Sequence, residues 1–446
     1  MKASNYNVVY EHDNSFLLVN TLTGAMFSID SHIKSALEND SFDLLDEQLV
    51  SDFKKTGIII EGNVNELYLY SYLTKKEALQ NSVLSLTVLM TRACNFACSY
   101  CFEGGEKPQE ALTDTVKDSI YKFIQNVCNE NKNIRHVGLT LFGGEPLLNF
   151  NANYQWLCKI KDLCSENEKE FSTMVITNGV LITEEILKGL AHLNCTNIQI
   201  TLDGTESVHN SRRMFKNGKG SFDEVVDGIK RVKDFEKLPN PVIRINIDKT
   251  NLENAYELLD YLKAQDLEKC FVDFGIVKLD KKSPAYRFCF ADNELADVLV
   301  PLWKKLHSLG FSYNYRPMRA FNYCGISKEN FFTINVNGDV YKCWEVVGNE
   351  KYIAGHINEQ GSLVHITPHY YDCLNRDADH ISECKACAYL PACGCGCASV
   401  AMQNHGTLFA PGCFKTKSLL FPQVKMLISH LREQNKIQAN QGDTNE

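Results

Sequence analysis

Three cysteines, Cys94, Cys98 and Cys101, lie close together, with three and then two residues between them. They come soon after the apolar run "VLSLTVLM", which predicts a loop directly after a β-strand. Three thiolates on one loop can hold three corners of a cubane [4Fe-4S] cluster and leave one iron free for a small molecule. The alternatives are a zinc loop or three buried thiols, but zinc sites favour paired cysteines and a fourth ligand.

The bulk composition limits the functions open to the chain. Its 446 residues, 44% hydrophobic and 23% charged, are typical of a globular protein with two or three domains. The net charge of -9 argues against nucleic acid as a partner. We expect a cytoplasmic protein without a membrane partner, because the N-terminus lacks a signal-peptide core and the apolar runs are too short to span a bilayer. In that reducing compartment the 18 cysteines suit metal binding and core packing better than disulfides, and we expect the solitary ones to be core residues: Cys128, Cys158, Cys164, Cys195, Cys270 and Cys289.

Residues 1–80 predict a small domain of three strands and several helices. The strands are "NVVYEHD", "FLLVN" and "AMFSID", and two amphipathic helical segments follow, the second ending at Gly57. A short strand, "IIIEG", and a polar linker helix complete the segment. This order of elements predicts a winged-helix-like domain.

Residues 84–310 alternate six apolar β-runs with helical segments, which predicts βα units and a parallel sheet. Six units fall short of a full TIM barrel, so we expect an α/β fold with an open, partial (β/α)6 barrel whose active site lies at the carboxyl ends of the strands. Residues 311–425 are dense in cysteine and predict a separate domain. Residues 426–446 predict the end of a C-terminal helix and a polar tail.

The CxxxCxxC spacing resembles the signature of the radical S-adenosylmethionine (SAM) superfamily. Similar segments recur at successive strand ends: "GGEP" after the second strand, "TNG" after the third, "TLDG" after the fourth and "RIN" in the fifth. The resemblance implies reductive cleavage of SAM to a 5'-deoxyadenosyl radical that takes a hydrogen atom from the substrate. The residues that it implies for SAM binding are Tyr100, Gly143, Gly144, Glu145, Pro146, Thr177, Asn178, Thr201, Asp203, Arg244 and Asn246.

Each of these segments also has a simpler interpretation. "GGEP" can be only a turn, and Arg244 can pair with an acid of the barrel instead of a SAM carboxylate. It is their order, at successive strand ends, that favours the functional interpretation. The segment "VHNSRR" lies where this family often has His and Arg near a peptide substrate, although for His209 we favour a structural role.

The C-terminal cysteines resemble the SPASM domain, which holds two auxiliary [4Fe-4S] clusters in its family and brings the implied total to three. The resemblance implies that Cys384, Cys387, Cys393 and Cys413 hold one cluster and that Cys324, Cys343 and Cys397 hold the other. The second cluster then lacks one ligand. Cys373 and Cys395 are candidates, and we favour the alternative, an open iron that binds a substrate thiolate. A zinc ribbon at Cys384 and Cys387 would leave several thiolates unused.

Enzymes that this chain resembles act mostly on peptides and proteins. The N-terminal domain is similar in layout to elements that bind the leader of a precursor peptide by adding a strand to a sheet edge. In the related anaerobic sulfatase maturases a catalytic aspartate follows the cysteine that corresponds to Cys343, whereas here Trp344 and Glu345 follow. Glu345 and Asp273 are our candidates for a general base.

The leading hypothesis is therefore a peptide maturase that forms a thioether between a cysteine sulfur and a carbon. Carbon-carbon crosslinking, epimerisation and sulfatase-maturase-like oxidation are the alternatives. The resemblance also implies a flavodoxin or ferredoxin-type electron donor. An iron-sulfur electron carrier without catalysis would use the cysteines but has no need of "GGEP" or "TNG".

Overall fold

The computed structural model describes residues 1–12, 14–79, 82–101, 109–279, 281, 283–315 and 324–442. The chain divides into two compact units. The first unit comprises Met1–Leu79, Tyr315–Ser327 and Asn375–Glu446, and the second comprises Gln80–Asn314 and Lys328–Leu374. No helix in the described part of the chain is both long and apolar enough to cross a membrane.

Strands and helices alternate along most of the chain. The strands of the described residues are β1 (Lys2–Ala3), β2 (Asn7–His12), β3 (Ser15–Asn20), β4 (Met26–Ile29), β5 (Ile59–Ile60), β6 (Val83–Thr91), β7 (His136–Gly143), β8 (Glu170–Thr177), β9 (Cys195–Thr201), β10 (Val242–Ile247), β11 (Phe271–Ile276), β12 (Ser312–Tyr313), β13 (Phe331–Ile334), β14 (Asp339–Tyr341), β15 (Gly355–Ile357) and β16 (Leu363–Val364).

The α-helices of the same residues are α1 (Ser31–Glu38), α2 (Glu47–Lys55), α3 (Glu66–Leu79), α4 (Asp114–Glu130), α5 (Phe150–Glu166), α6 (Glu184–His192), α7 (Glu206–Arg212), α8 (Phe222–Lys233), α9 (Leu252–Ala264), α10 (Leu295–Leu309), α11 (Pro368–Leu374), α12 (Ser382–Lys385), α13 (Leu390–Cys393), α14 (Ala398–His405) and α15 (Leu420–Gly442).

The first unit is built on an antiparallel sheet in the order β2-β3-β4, the three strands that the sequence predicts. Side chains alternate between the faces of β3, so Leu18 packs with Phe53 of α2, whereas Leu17 and Val19 pack with Val424 of α15. Both faces of this small sheet are therefore covered, and β2 and β4 are its end strands. Residues 438–442, predicted as polar tail, instead continue α15, and residues 443–446 lie outside the described residues.

The second unit contains the six predicted parallel strands, β6 to β11, in sequence order. The fold is thus an α/β fold with a large central sheet. The sheet extends further than the six strands: β12 pairs with β11 at one end, and β13 pairs in parallel with β6 at the other. Strands β14 to β16 continue beyond β13 as an antiparallel meander.

Four of the solitary cysteines, Cys128, Cys164, Cys195 and Cys270, are buried in the second unit, as the sequence predicts. Burial raises the pKa of the Cys195 thiol to about 11 and that of the Cys164 and Cys270 thiols to about 12. These thiols are protonated packing groups at neutral pH. Cys158 and Cys289, which the sequence also assigns to the core, are only half-buried.

Candidate functional site

The loop after β6 carries Cys94, which is buried, and Cys98 and Cys101, which are half-buried. A short antiparallel ladder joins this loop to residues 212–216, which begin at the last residue of α7. The backbone N–H of Ala97 donates to the Met214 carbonyl at 2.9 Å, and that of Ser99 donates to the Arg212 carbonyl at 3.0 Å. The ladder fixes the backbone that presents the three thiols.

Two glycines allow the turn after β7 to pass against the start of this cysteine loop. Gly144 donates its N–H to the Thr91 carbonyl at 3.0 Å. A Cβ atom on Gly143 would lie 2.2 Å from the Thr91 carbonyl oxygen, and one on Gly144 would lie 2.2 Å from that of Ala93. Gly143 also has a φ of +117°, which side-chain-bearing residues rarely adopt. Both positions therefore require glycine.

Glu145 links the ends of β7 and β8 through its buried carboxylate. One carboxylate oxygen accepts from the Thr177 hydroxyl at 2.6 Å and from the Leu147 N–H at 3.0 Å, and the other accepts from the Asn178 N–H at 2.7 Å. The pKa of this carboxyl is raised, because burial outweighs the three hydrogen bonds. Asn178 in turn donates to the side chain of Asn95 on the cysteine loop at 2.7 Å. The predicted SAM contacts of Glu145, Thr177 and Asn178 remain predictions.

Tyr100 joins the cysteine loop to the ends of β9 and β10. Its hydroxyl donates to the Asp203 carboxylate, and it accepts from the Arg213 guanidinium at 2.7 Å and from the Asn246 amide at 3.1 Å. The other oxygen of Asp203 accepts from the Asn246 N–H at 2.9 Å. Burial raises the pKa of the Tyr100 hydroxyl, so it stays protonated and donates. Three predicted SAM residues thus form one network, and Arg213 completes it.

Arg212 and Arg213 are site residues whose contacts with Tyr100 the sequence did not predict. The Arg212 guanidinium donates to the Asp248 carboxylate at 2.9 Å and lies 4.9 Å from the centre of the Tyr100 ring. Their signal in the sequence is the "VHNSRR" segment, but its position against the cysteine loop follows only from the backbone ladder.

His209 is fully buried behind this network. The Asp203 N–H donates to its Nδ1 atom at 3.2 Å, so the ring proton must be on Nε2, which lies 3.1 Å from the Ser221 hydroxyl. That hydroxyl donates to the Arg213 carbonyl at 2.5 Å. Burial, with the two neighbouring arginines, lowers the pKa of His209 well below its usual value. The ring is therefore a neutral link that positions Asp203 and Arg213.

Arg244 and Asp273, predicted as a SAM-binding residue and a candidate base, form an ion pair with each other on neighbouring strands. Arg244 also donates from Nε to the Asn246 side chain at 3.1 Å, and Thr201 lies opposite it on β9. This is the pairing with a barrel acid that the sequence left open. A contact of Arg244 with SAM and a role for Asp273 as base remain predictions.

Glu345, the other candidate base, pairs with Lys278, whose ammonium lies 2.8 and 3.0 Å from the two carboxylate oxygens. Trp344 beside it is 37% exposed. Its ring centre lies 6.0 Å from that of Phe142, the residue before Gly143. An ion pair and an exposed aromatic ring therefore lie together at the carboxyl end of β7.

The side chains at the carboxyl ends of the barrel strands fit a SAM molecule and an iron-sulfur cluster. The Nε atoms of Arg212 and Arg213 are buried donors that lack a hydrogen-bond partner within the described residues. Carboxylate, hydroxyl or thiolate acceptors of a bound group would satisfy them. Cys94, Cys98 and Cys101 would supply the thiolates for the cluster, and this assignment remains a prediction. Within the described residues no three Cys, His, Asp or Glu side chains meet closely enough to hold a single metal ion.

The first unit holds most of the C-terminal cysteines. Cys384 and Cys395 are buried, whereas Cys413 is exposed. The stretch around Gly396 lies against Gly412: Cys397 donates its N–H to the Gly412 carbonyl at 2.9 Å, and a Cβ on Gly396 would lie 2.1 Å from that oxygen. The glycines of "CGCGC" thus permit a close approach of two cysteine-bearing segments.

The two candidate fourth ligands lie in different environments. The Cys395 thiol donates a hydrogen bond to the Cys384 sulfur, which lowers the pKa of Cys384 and raises that of Cys395. Cys373 is in the second unit, with its sulfur 3.4 Å from the Nε2 atom of His369. The second unit also contains Cys343, and the first contains Cys324, Cys387, Cys393 and Cys397. The assignment of these cysteines to clusters remains a prediction.

Comparison with known proteins identifies the class. Residues 88–262 match the Radical SAM superfamily, so this part of the chain is a radical SAM domain. Such a domain implies SAM and a [4Fe-4S] cluster.

Relatives that align with about 70% of the chain include an anaerobic sulfatase-maturating enzyme and a mycofactocin maturase. The chain is 26% identical over 349 residues to the cysteine-type anaerobic sulfatase-maturating enzyme of Clostridium novyi (70% of this chain, 88% of the relative). It is 25% identical over 328 residues to the mycofactocin maturase MftC of Mycolicibacterium smegmatis (70% of this chain, 78% of the relative).

Two solved structures share the fold. Native anSMEcpe with bound AdoMet and Cp18Cys peptide has a TM-score of 0.59 at 19% identity, covering 80% of this chain and 99% of that one. Streptococcus suis SuiB bound to precursor peptide SuiA has a TM-score of 0.52 at 16% identity, covering 94% of this chain and 99% of that one.

Proposed function

We propose that this enzyme modifies a ribosomally made precursor peptide and forms a thioether between a cysteine sulfur and a carbon of another residue. The observation that carries the proposal is a radical SAM domain whose cysteine loop, glycine turn and Tyr100 network meet at the carboxyl ends of one parallel sheet, in a chain with a second cysteine array. When bound, the cluster and SAM supply a 5'-deoxyadenosyl radical that takes a hydrogen atom from an unactivated carbon.

The chain's own residues position and deprotonate the substrate in this proposal. A new carbon-sulfur bond requires the loss of the thiol proton, one hydrogen atom from carbon and one surplus electron. Glu345, which Lys278 holds next to the barrel mouth, is our candidate for accepting the thiol proton. Asp273 is the alternative candidate, and it is likewise ion-paired, in its case with Arg244. The C-terminal cysteines would hold an auxiliary cluster, which would supply the acceptor for the surplus electron.

Recognition of the precursor is assigned to the N-terminal sheet. The end strands β2 and β4 of the β2-β3-β4 sheet offer edges to which a leader peptide can add a strand. The similarity to SuiB, which binds the precursor peptide SuiA, supports this assignment, because it covers 94% of the chain. A flavodoxin or ferredoxin-type protein would supply the electrons.

The residue after Cys343 bears on the type of reaction. In anaerobic sulfatase maturases an aspartate stands where this chain has Trp344 followed by Glu345, which weakens the assignment to sulfatase-type oxidation. The exposed ring of Trp344 instead offers an apolar surface for a substrate side chain. This difference favours crosslinking.

The test is anaerobic co-expression with a short cysteine-bearing peptide encoded beside the enzyme, followed by mass spectrometry. The peptide should lose two hydrogens per crosslink, and one cysteine per crosslink should resist iodoacetamide. The enzyme with Cys94, Cys98 and Cys101 all replaced by alanine is the matched control and should leave the peptide unchanged.

The other reactions give different products. A loss of two hydrogens with every cysteine still alkylatable would indicate carbon-carbon crosslinking or oxidation and would reject the thioether. An unchanged mass would also reject it, and changed stereochemistry in that peptide would indicate epimerisation.

A further inference from the structure

Arg376 is a buried cation in the first unit, with only 3% of its surface exposed. Its side-chain hydrogen bonds within the described residues go to backbone carbonyls: Nη1 donates to Leu408 and, at 3.0 Å, to Ala410, and Nη2 donates to Cys395 at 2.8 Å. No carboxylate of the described residues pairs with it. Buried charges are normally paired with an opposite charge, so an anionic group bound beside this guanidinium would be stabilised by it.

Arg376 contacts the C-terminal cysteine array through the carbonyl of Cys395, which lies between Cys393 and Cys397 in the sequence. Cys384 and Cys395 lie in the same buried cluster. Arg376 also fixes the backbone here, because the Cys395 carbonyl accepts from both its guanidinium and the Gly412 N–H at 3.0 Å. Cys395 has a φ of +64°, uncommon for a residue with a side chain, and these two donors hold it there.

We propose that Arg376 is the buried counter-charge of an auxiliary iron-sulfur cluster that includes Cys384, and that its charge makes this cluster easier to assemble and to reduce. The inference rests on the proposed function, which assigns a cluster to Cys384, Cys387, Cys393 and Cys413. Thiolate-ligated clusters carry net negative charge, and their reduction potentials depend on nearby charge and hydrogen bonding. A buried cation therefore stabilises the cluster, and it stabilises the reduced form more.

The test uses full-length protein with Cys94, Cys98 and Cys101 replaced by alanine, so that only auxiliary clusters contribute signals. The variants in this background are Arg376→Gln, which removes the charge, and Arg376→Lys, which keeps it. Lys75→Gln is the matched control: it removes a positive charge from the same unit, but Lys75 is 55% exposed and pairs with Asp379 at 2.7 Å. Iron and sulfide per chain are measured, and reduction is followed by electron paramagnetic resonance during a dithionite titration.

We expect Arg376→Gln to lower the equilibrium constant for one-electron reduction of one cluster at least tenfold, a shift of about 59 mV to more negative potential. Arg376→Lys and Lys75→Gln should stay within about threefold of the parent. Loss of the cluster in Arg376→Gln with retention in Arg376→Lys would also support the proposal.

Two results would overturn it. In the first, Arg376→Gln has the iron content and potential of the parent. In the second, the Gln and Lys variants lose iron equally, which would mean that shape and not charge matters. A wrong assignment of clusters in the proposed function gives a different result. The protein with Cys94, Cys98 and Cys101 replaced and Arg376 intact would then contain no iron. That result would reject the auxiliary clusters and this inference together.

Discussion

His209 gives the sharpest test of the network behind the cysteine loop. Its ring is neutral in the folded chain, because Nδ1 accepts from the Asp203 N–H and burial lowers its pKa well below 6.5. Below pH 6.5 the His209 side chain is protonated in the unfolded chain but stays neutral in the folded chain. The stability that His209 contributes is therefore present above pH 6.5 and is lost as the pH falls below it. At pH 5.5 this loss is about 1.4 kcal/mol, and it grows by about 1.4 kcal/mol per unit until the lowered pKa is reached.

The perturbation is His209→Gln, which keeps a donor for Ser221 but leaves the Asp203 N–H without its acceptor. At pH 7.5 we expect the variant to be about 1–3 kcal/mol less stable than the parent. At pH 5.5 the difference should shrink by about 1.4 kcal/mol, because only the parent has the histidine that resists protonation.

The assay is urea unfolding under argon, followed by circular dichroism at several pH values. The difference in unfolding free energy between the variant and the parent removes the contribution of the other eleven of the 12 histidines, because both proteins contain them. A difference that stays constant between pH 7.5 and 5.5 would refute a neutral, buried His209 and the hydrogen-bond directions derived from it.

Three further substitutions test the site. Gly144→Ala places a Cβ 2.2 Å from the Ala93 carbonyl oxygen and should lower SAM cleavage at least about tenfold. Gly138→Ala, in the preceding strand β7 and with 4.0 Å of space, should not, and equal activities would contradict the turn geometry. Glu345→Gln should lower crosslinked product at least about 100-fold with unchanged SAM cleavage in the absence of peptide, and unchanged product would exclude it as base. Trp344→Ala should raise KM for the peptide about fivefold or more, with recovery in Trp344→Phe, and an unchanged KM would remove it from the substrate surface.

The sequence predicted the parallel strands well because each is a continuous apolar run with local turn signals. Strands β6 to β11 were all identified, and so was the placement of Cys94 and Gly143 at strand ends. The parallel pairing of β13 with β6 was not, because that strand is four residues long and its partner lies far away in the sequence.

The sequence pattern also could not predict which charged residues pair with each other at the site. Lys278 and Glu345 are 67 residues apart, and nothing local to either predicts the other. Arg213 contacts Tyr100 across 113 residues through the backbone ladder with the cysteine loop. The sequence alone could not identify Arg376 as a buried cation. Its burial, and the lack of a carboxylate partner within the described residues, follow only from the folded structure.

The most direct measurement of the central claim is the formation of 5'-deoxyadenosine by anaerobically reconstituted protein incubated with SAM and dithionite. The account predicts an iron-containing and sulfide-containing protein that forms 5'-deoxyadenosine, and a Cys98→Ala variant that forms none above background. Iron-loaded protein that yields no 5'-deoxyadenosine, or a Cys98→Ala variant as active as the parent, would contradict it.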